Sequence, residues 1–213
     1  MIRQTSFTGF PEAALDFYDD LEMDNTKSYW EAHKDVYQAS VKAPMTALVT
    51  ALEPEFGNAK VFRPFRDVRF AKDKTPYKTH QGAFVAVGSA TGWYVEISAR
   101  GVRTGAGFYE ASGANLARIR ESIDNEATGK QLEAILRKVT KSGFEVSGER
   151  LKTTPRGYDA DHPRIELLRH KSITVGRHHG FDKVIHSPKL VDVVRKDWRA
   201  LRPLVEWVSD RVD

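Results

Sequence analysis

The string RFAKDKTPYKTH, residues 69–80, sets Arg69, Lys72, Lys74, Lys78 and His80 around one aspartate, one proline and one tyrosine. Arg63 and Arg66 extend the run upstream, and across residues 63–78 only Asp67 and Asp73 oppose the cations. Lysines on a turn next to arginines on a strand can present cations and backbone N–H groups to one anion. Asp73 and Pro76 are turn residues, which predicts a strand over 61–70 followed by a turn over Lys72–Thr79. On such a strand Arg63, Asp67 and Arg69 share one face, while Phe62, Val68 and Phe70 point to the core with Arg66 among them. A buried arginine needs a partner, and Asp67, Asp73 and Glu96 are the candidate carboxylates. The plainer alternative is a salt-bridged strand end with solvated lysines.

A second string, PRGYDADHPRIELLRHKS (residues 155–172), mixes Arg156, Arg164, Arg169 and Lys171 with Asp159, Asp161 and Glu166, and carries Tyr158, His162 and His170. Asp161 or His162 can cap a helix whose first residue is Pro163. The positive end of that helix suits an anion, unless Asp161 already occupies it. His162 and Glu166 are four apart, but no third ligand stands at a metal-binding spacing, so no metal is expected. His178 and His179 are adjacent and would point to opposite sides of a strand. His33 reads as a satisfied core histidine.

These groups suit three function classes. In the leading one, Arg66, Arg69, Lys74, Tyr77, Lys78, Arg156, Arg164 and His170 converge on one concave site for a small anionic ligand, phosphate-bearing or nucleotide-like. In the second, the chain is a metal-independent enzyme acting on an anionic substrate. His162 or His170 is then the general acid/base, and Arg and Lys stabilise developing charge. In the third, the basic segment binds nucleic acid with Tyr77, Phe65 and Phe70 as stacking platforms. This one is less favoured. The phenylalanines read as core, and residues 11–35 carry eight acidic residues against Lys27 and Lys34, which repels a polyanion. A structural or interaction protein is a further alternative. No GxxxxGK[ST], GxGxxG after a strand, or GxSxG is present, and GVRTGAG ends in a strand pattern, so no cofactor is expected.

The elements that must position these groups form an α+β pattern. N-terminal helices are predicted over about 11–56, with a kink or restart at Pro44. A sheet is predicted over about 59–109, where Trp93, Val95, Ile97 and Ala99 alternate with Tyr94, Glu96, Ser98 and Arg100. Two helices over about 112–142 hinge near Thr128 and Gly129, a loop–helix–strand segment runs over about 151–178, and a C-terminal helix covers about 188–210. The expectation is an antiparallel sheet of about four to six strands, helices mainly on one face, in a single domain over residues 1–213.

The 213 residues are 40% hydrophobic and 29% charged, which is ordinary for a globular chain. With no cysteine, disulfides, zinc-thiolate sites, iron–sulfur clusters and cysteine nucleophiles are excluded. The first residues lack the apolar run of a signal peptide, and no stretch has the length of a membrane span. A cytoplasmic protein without a membrane partner is expected; no oligomeric state is read from the sequence.

FRPFRDVRFAKDKTPYKTH, PRGYDADHPRIELLRHKS and the N-terminal FPEAALDFYDDLEMDNTKSYWEAHKDVY together resemble the bacterial family known as domain of unknown function 2461, end to end. Tyr29-Trp30 stands where that family usually has Trp-Phe. The resemblance implies a single-domain protein of bacterial type. It carries no established activity, cofactor or catalytic residue.

Overall fold

The structure, a computed structural model, describes residues 6–89, 91–109 and 111–212. Helix α1 (Ala13–Met23) starts after Pro11 and buries Ala14, Phe17, Tyr18 and Leu21, one stripe at helical spacing. Helix α2 (Lys27–Val36) starts at Thr26, whose hydroxyl accepts the amide of Tyr29 at 3.2 Å. It runs through a π-helical segment (Tyr37–Lys42) into α3 (Ala43–Phe56). The restart predicted at Pro44 takes this form. Proline has no N–H for the carbonyl four residues back. The wider turn, in which the Ala43 amide reaches Gln38, takes up the misfit without breaking the helix. Gly57 ends α3 at φ 94°, a conformation suited to glycine.

Strands β1 (Ala59–Val61), β2 (His80–Gly88), β3 (Thr91–Ser98), β4 (Gly101–Phe108), β5 (Glu145–Ser147) and β6 (Ile173–Gly180) form one antiparallel sheet in the order β1-β2-β3-β4-β6-β5. The fold is α+β. Helices α4 (Gly113–Asp124) and α5 (Glu126–Lys141) precede β5, the four-residue α6 (Ile165–Leu168) precedes β6, and α7 (Leu190–Ser209) closes the chain. The glycines of GVRTGAG serve the pairing of β4 with β6. Gly107 adopts φ 133°, and a Cβ there would overlap the carbonyl of Ile173.

The chain divides into two compact units: Met1–Val85, Tyr94–Thr104 and His178–Lys196 form the first, and Ala86–Trp93, Gly105–Arg177 and Asp197–Asp213 the second. The first is centred on aromatics. Phe17 meets Tyr18 edge-on at 5.2 Å and Trp30 at 5.9 Å, and Trp30 stacks on Tyr77 at 4.4 Å. Its part of the sheet shows the predicted alternation: Val95 and Ile97 are buried, while Tyr94, Glu96 and Ser98 are half-exposed. The second has an aliphatic and tryptophan core of Ile119, Ile123, Leu132, Leu168, Trp198 and Trp207.

Four expectations are corrected. The strand predicted over 61–70 stops at Val61, because Pro64 cannot donate to a ladder; beyond it there is only an isolated bridge of Phe65 with Tyr77. Phe65 and Phe70, expected in the core, are 48% and 97% exposed. The break after α4 falls at Asn125, whose carboxamide oxygen caps the amides of Ala127 and Thr128, whereas Gly129 lies inside α5. The helix predicted from Pro163 begins only at Ile165, after the His162 ring accepts the Arg164 amide. Pro203 sits inside α7 without ending it.

Candidate functional site

In the first unit, residues 62–79 make a loop whose neck is the Phe65–Tyr77 bridge, with Arg66 N–H on the Pro76 carbonyl and Lys78 N–H on that of Pro64, both at 2.8 Å. Asn25 anchors this neck. Its carboxamide accepts the Tyr77 amide at 3.1 Å and donates to the Tyr77 carbonyl at 3.0 Å. Asp73 folds the tip by accepting the amide and hydroxyl of Thr75, and Arg66 reaches across to both Asp73 and Thr75. The Arg66 guanidinium and the Thr75 bonds hold the exposed Asp73 carboxyl down to about 2.

Two predicted ligand cations are engaged in building this loop. Arg69 forms a fork on Asp67, with Nε at 2.9 Å and a terminal nitrogen at 2.6 Å, and lowers that carboxyl. Lys74 donates its ammonium to the Val68 carbonyl at 2.9 Å. Tyr77 is buried as a packing ring against Trp30.

Beside the neck is a cavity of about 570 Å³, lined by Glu22, Asn25, Arg66, Asp73, Thr75, Tyr77, Lys78, Thr79 and His80. Lys78 lies over the Phe62 ring at 5.2 Å. Among the described residues no carboxylate stands within salt-bridge distance of its ammonium. Burial first, then Arg63 and Lys60, push its pKa down. His80, to which the sequence alone assigned no separate role, opens β2 on this cavity with Nε2 3.9 Å from Glu96 Oε2. Glu96 accepts the Tyr94 hydroxyl. The signal for this trio was the strand alternation, which put Tyr94 and Glu96 together on the polar face.

In the second unit the other string is largely absorbed by the fold. Arg164 is buried. Its Nε donates to the Ile123 carbonyl at 2.6 Å, one terminal nitrogen to the Asp124 carbonyl at 2.8 Å and the other to Glu126 at 3.1 Å. It therefore caps the C-terminal carbonyls of α4, where a cation meets the negative end of the helix dipole. Gly129 lets it in, since a Cβ there would lie 2.5 Å from Arg164 Nε. His162 donates Nε2–H to Asp124 at 3.0 Å. His170 is buried and donates Nδ1–H to the Ser172 carbonyl at 2.8 Å; burial pushes its pKa down against that hydrogen bond. Arg169 pairs with Glu166 at 2.8 Å, Lys171 pairs with Glu149, and Arg156 is exposed beside Gly157 at φ 91°.

Among the described residues no helix is long and apolar enough to cross a membrane. No curated protein shows a significant match to the chain. A family model does match, and it spans both polar strings and every helix from α1 to most of α7. The chain thus belongs to the family described as conserved hypothetical protein (DUF2461), matched over residues 13–207.

Proposed function

We propose that the cavity beside the 62–79 loop binds a small anionic, phosphate-bearing ligand, with Lys78 as its principal contact and Arg66 as a second cation at the rim. The observation that carries this reading is Lys78 itself. It is a partly buried ammonium, held among other cations, in a cavity and without a carboxylate partner among the described residues. An anion there relieves the repulsion that lowers its pKa. Arg69 and Lys74 act by shaping the loop, and Arg156, Arg164 and His170 have no part in the site. A cytoplasmic protein of bacterial type, as the absence of cysteine and the family resemblance suggest, has such ligands in abundance.

The test is thermal unfolding with inorganic phosphate. A ligand at about a hundred times its Kd adds about 2.7 kcal/mol, which raises Tm by roughly 5–10 °C for a chain of this size. The rise is expected in the wild type and in R156A and is lost in K78A. An equal rise in K78A rejects the site. The exposure of Phe65 and Phe70 favours a second reading, in which single-stranded nucleic acid stacks on these rings. Oligonucleotide affinity that falls steeply with salt and disappears in F70A would select it.

A further inference from the structure

The trio His80, Glu96 and Tyr94 bears on the charge of the ligand; its role rests on the anion site proposed for this cavity and deepens it. The Glu96 carboxylate is a fixed group. It accepts the Tyr94 hydroxyl, and that hydroxyl lies over Gly82, where a Cβ would stand 2.6 Å from it. His80 faces Glu96 at 3.9 Å, within ion-pair reach once the ring is protonated.

The charged and titratable groups around the ring come from four directions. Glu96 and Tyr94 lie on β3, and Arg103 on β4. Lys78, Arg66 and Asp73 come from the loop, and Glu22 from α1. With His80 neutral, the three cations Arg66, Lys78 and Arg103 meet three carboxylates, Glu22, Asp73 and Glu96. A dianion entering that set would be uncompensated. One proton on His80 supplies the missing positive charge, and Glu96 stands ready to hold the imidazolium.

We propose that the cavity takes a tetrahedral dianion, a phosphate monoester or its sulfate equivalent, together with one proton from solvent that His80 accepts. In the free protein burial, aided by Lys78 and Arg103, keeps the His80 pKa below that of an ordinary histidine against the pull of Glu96. A bound dianion raises it. Affinity therefore increases as pH falls through the pKa of the complex and levels off below the pKa of the free protein.

The experiment is calorimetric titration with sulfate, which stays dianionic throughout, at about pH 5.5 and about pH 8 and constant ionic strength. The wild type is expected to bind at least about fivefold more tightly at the lower pH, with proton uptake visible as a dependence on buffer ionisation heat. H80Q is expected to lose the pH dependence. K78A is expected to weaken binding at both pH values and keep the dependence. Thermal unfolding of each variant verifies that it is folded, which the half-exposed position of His80 favours. Equal affinity at both pH values in the wild type, or an undiminished dependence in H80Q, overturns the proton linkage and leaves the anion site standing. No sulfate binding at either pH overturns both.

Discussion

Arg66 and Arg164 belong to strings of similar composition, and their surroundings put them to opposite uses. Arg164 is buried, with all its donating nitrogens on the last carbonyls of α4 and on Glu126. Arg66 is partly exposed at a cavity rim, and its partners Asp73 and Thr75 sit on the same loop. Both loops are rich in histidine and lysine neighbours. In the second unit those neighbours are tied to carbonyls and carboxylates; in the first, Lys78 and His80 face a cavity. A polar string that satisfies itself against the fold is structure. One that leaves a cation unpaired in a cavity is a candidate site.

The sharpest way to break this contrast is to remove the buried arginine. R164M is expected to lose about 3 kcal/mol in urea unfolding, because two buried carbonyls lose charge-assisted bonds. Phosphate-induced stabilisation, measured against the variant's own baseline, should persist.

G129A is expected to cost about 2 kcal/mol. Overpacking against Arg164 and the Ile123 carbonyl outweighs the better helix propensity of alanine. In the double variant with R164M the two losses should fall short of additive, since the shortened side chain no longer presents its Nε to the new methyl.

N25A removes both side-chain bonds to the Tyr77 backbone and is expected to cost about 1–2 kcal/mol. It differs from the first two by loosening the neck beneath Lys78, so phosphate should stabilise it less. Amide hydrogen exchange at Lys78 and Arg66 should speed up in parallel.

The pH dependence separates the strings more finely. His170 is buried with a lowered pKa, so the unfolded chain binds more protons than the native one between that pKa and about 6.5. Stability from this residue is thus full above about pH 6.5 and is lost as pH falls toward the folded pKa. H170N should flatten the slope of stability over that window, leaving the similar contribution of His80 in place.

The smallest effect on stability is expected for D73N. Asp73 is exposed, and its pairing with Arg66 is screened by water. Its carboxyl stays charged down to about 2, so the pairing is present above the ordinary carboxylate range and lost as pH falls through that value. Freeing Arg66 should leave Tm nearly unchanged while tightening phosphate binding. A large loss of stability would mean that the loop, like the second string, serves the fold.

The sequence carried much of this frame wherever the signal was local. The Ala14, Phe17, Tyr18, Leu21 stripe and the Trp93–Ala99 alternation needed only periodicity, and the buried faces match them. Residues 62–79 were harder. Their apolar residues suggested a strand, but Pro64 and the mutual pairing of Arg66 with Asp73 and Arg69 with Asp67 make the segment a self-supporting loop. Arg164 was legible as a cation needing a partner, not as a cap for α4, because its acceptors lie about forty residues upstream and are backbone carbonyls. His80 was hidden for a related reason: its meaning depends on Glu96, which only strand pairing brings near.

Chemical-shift mapping during titration with inorganic phosphate tests the central claim most directly. The predicted result is a set of saturable shifts confined to residues 66–80 and to the neighbouring Tyr94, Glu96 and Arg103, with residues 156–170 unmoved. Shifts centred on 156–170, or none at saturating phosphate, would contradict it.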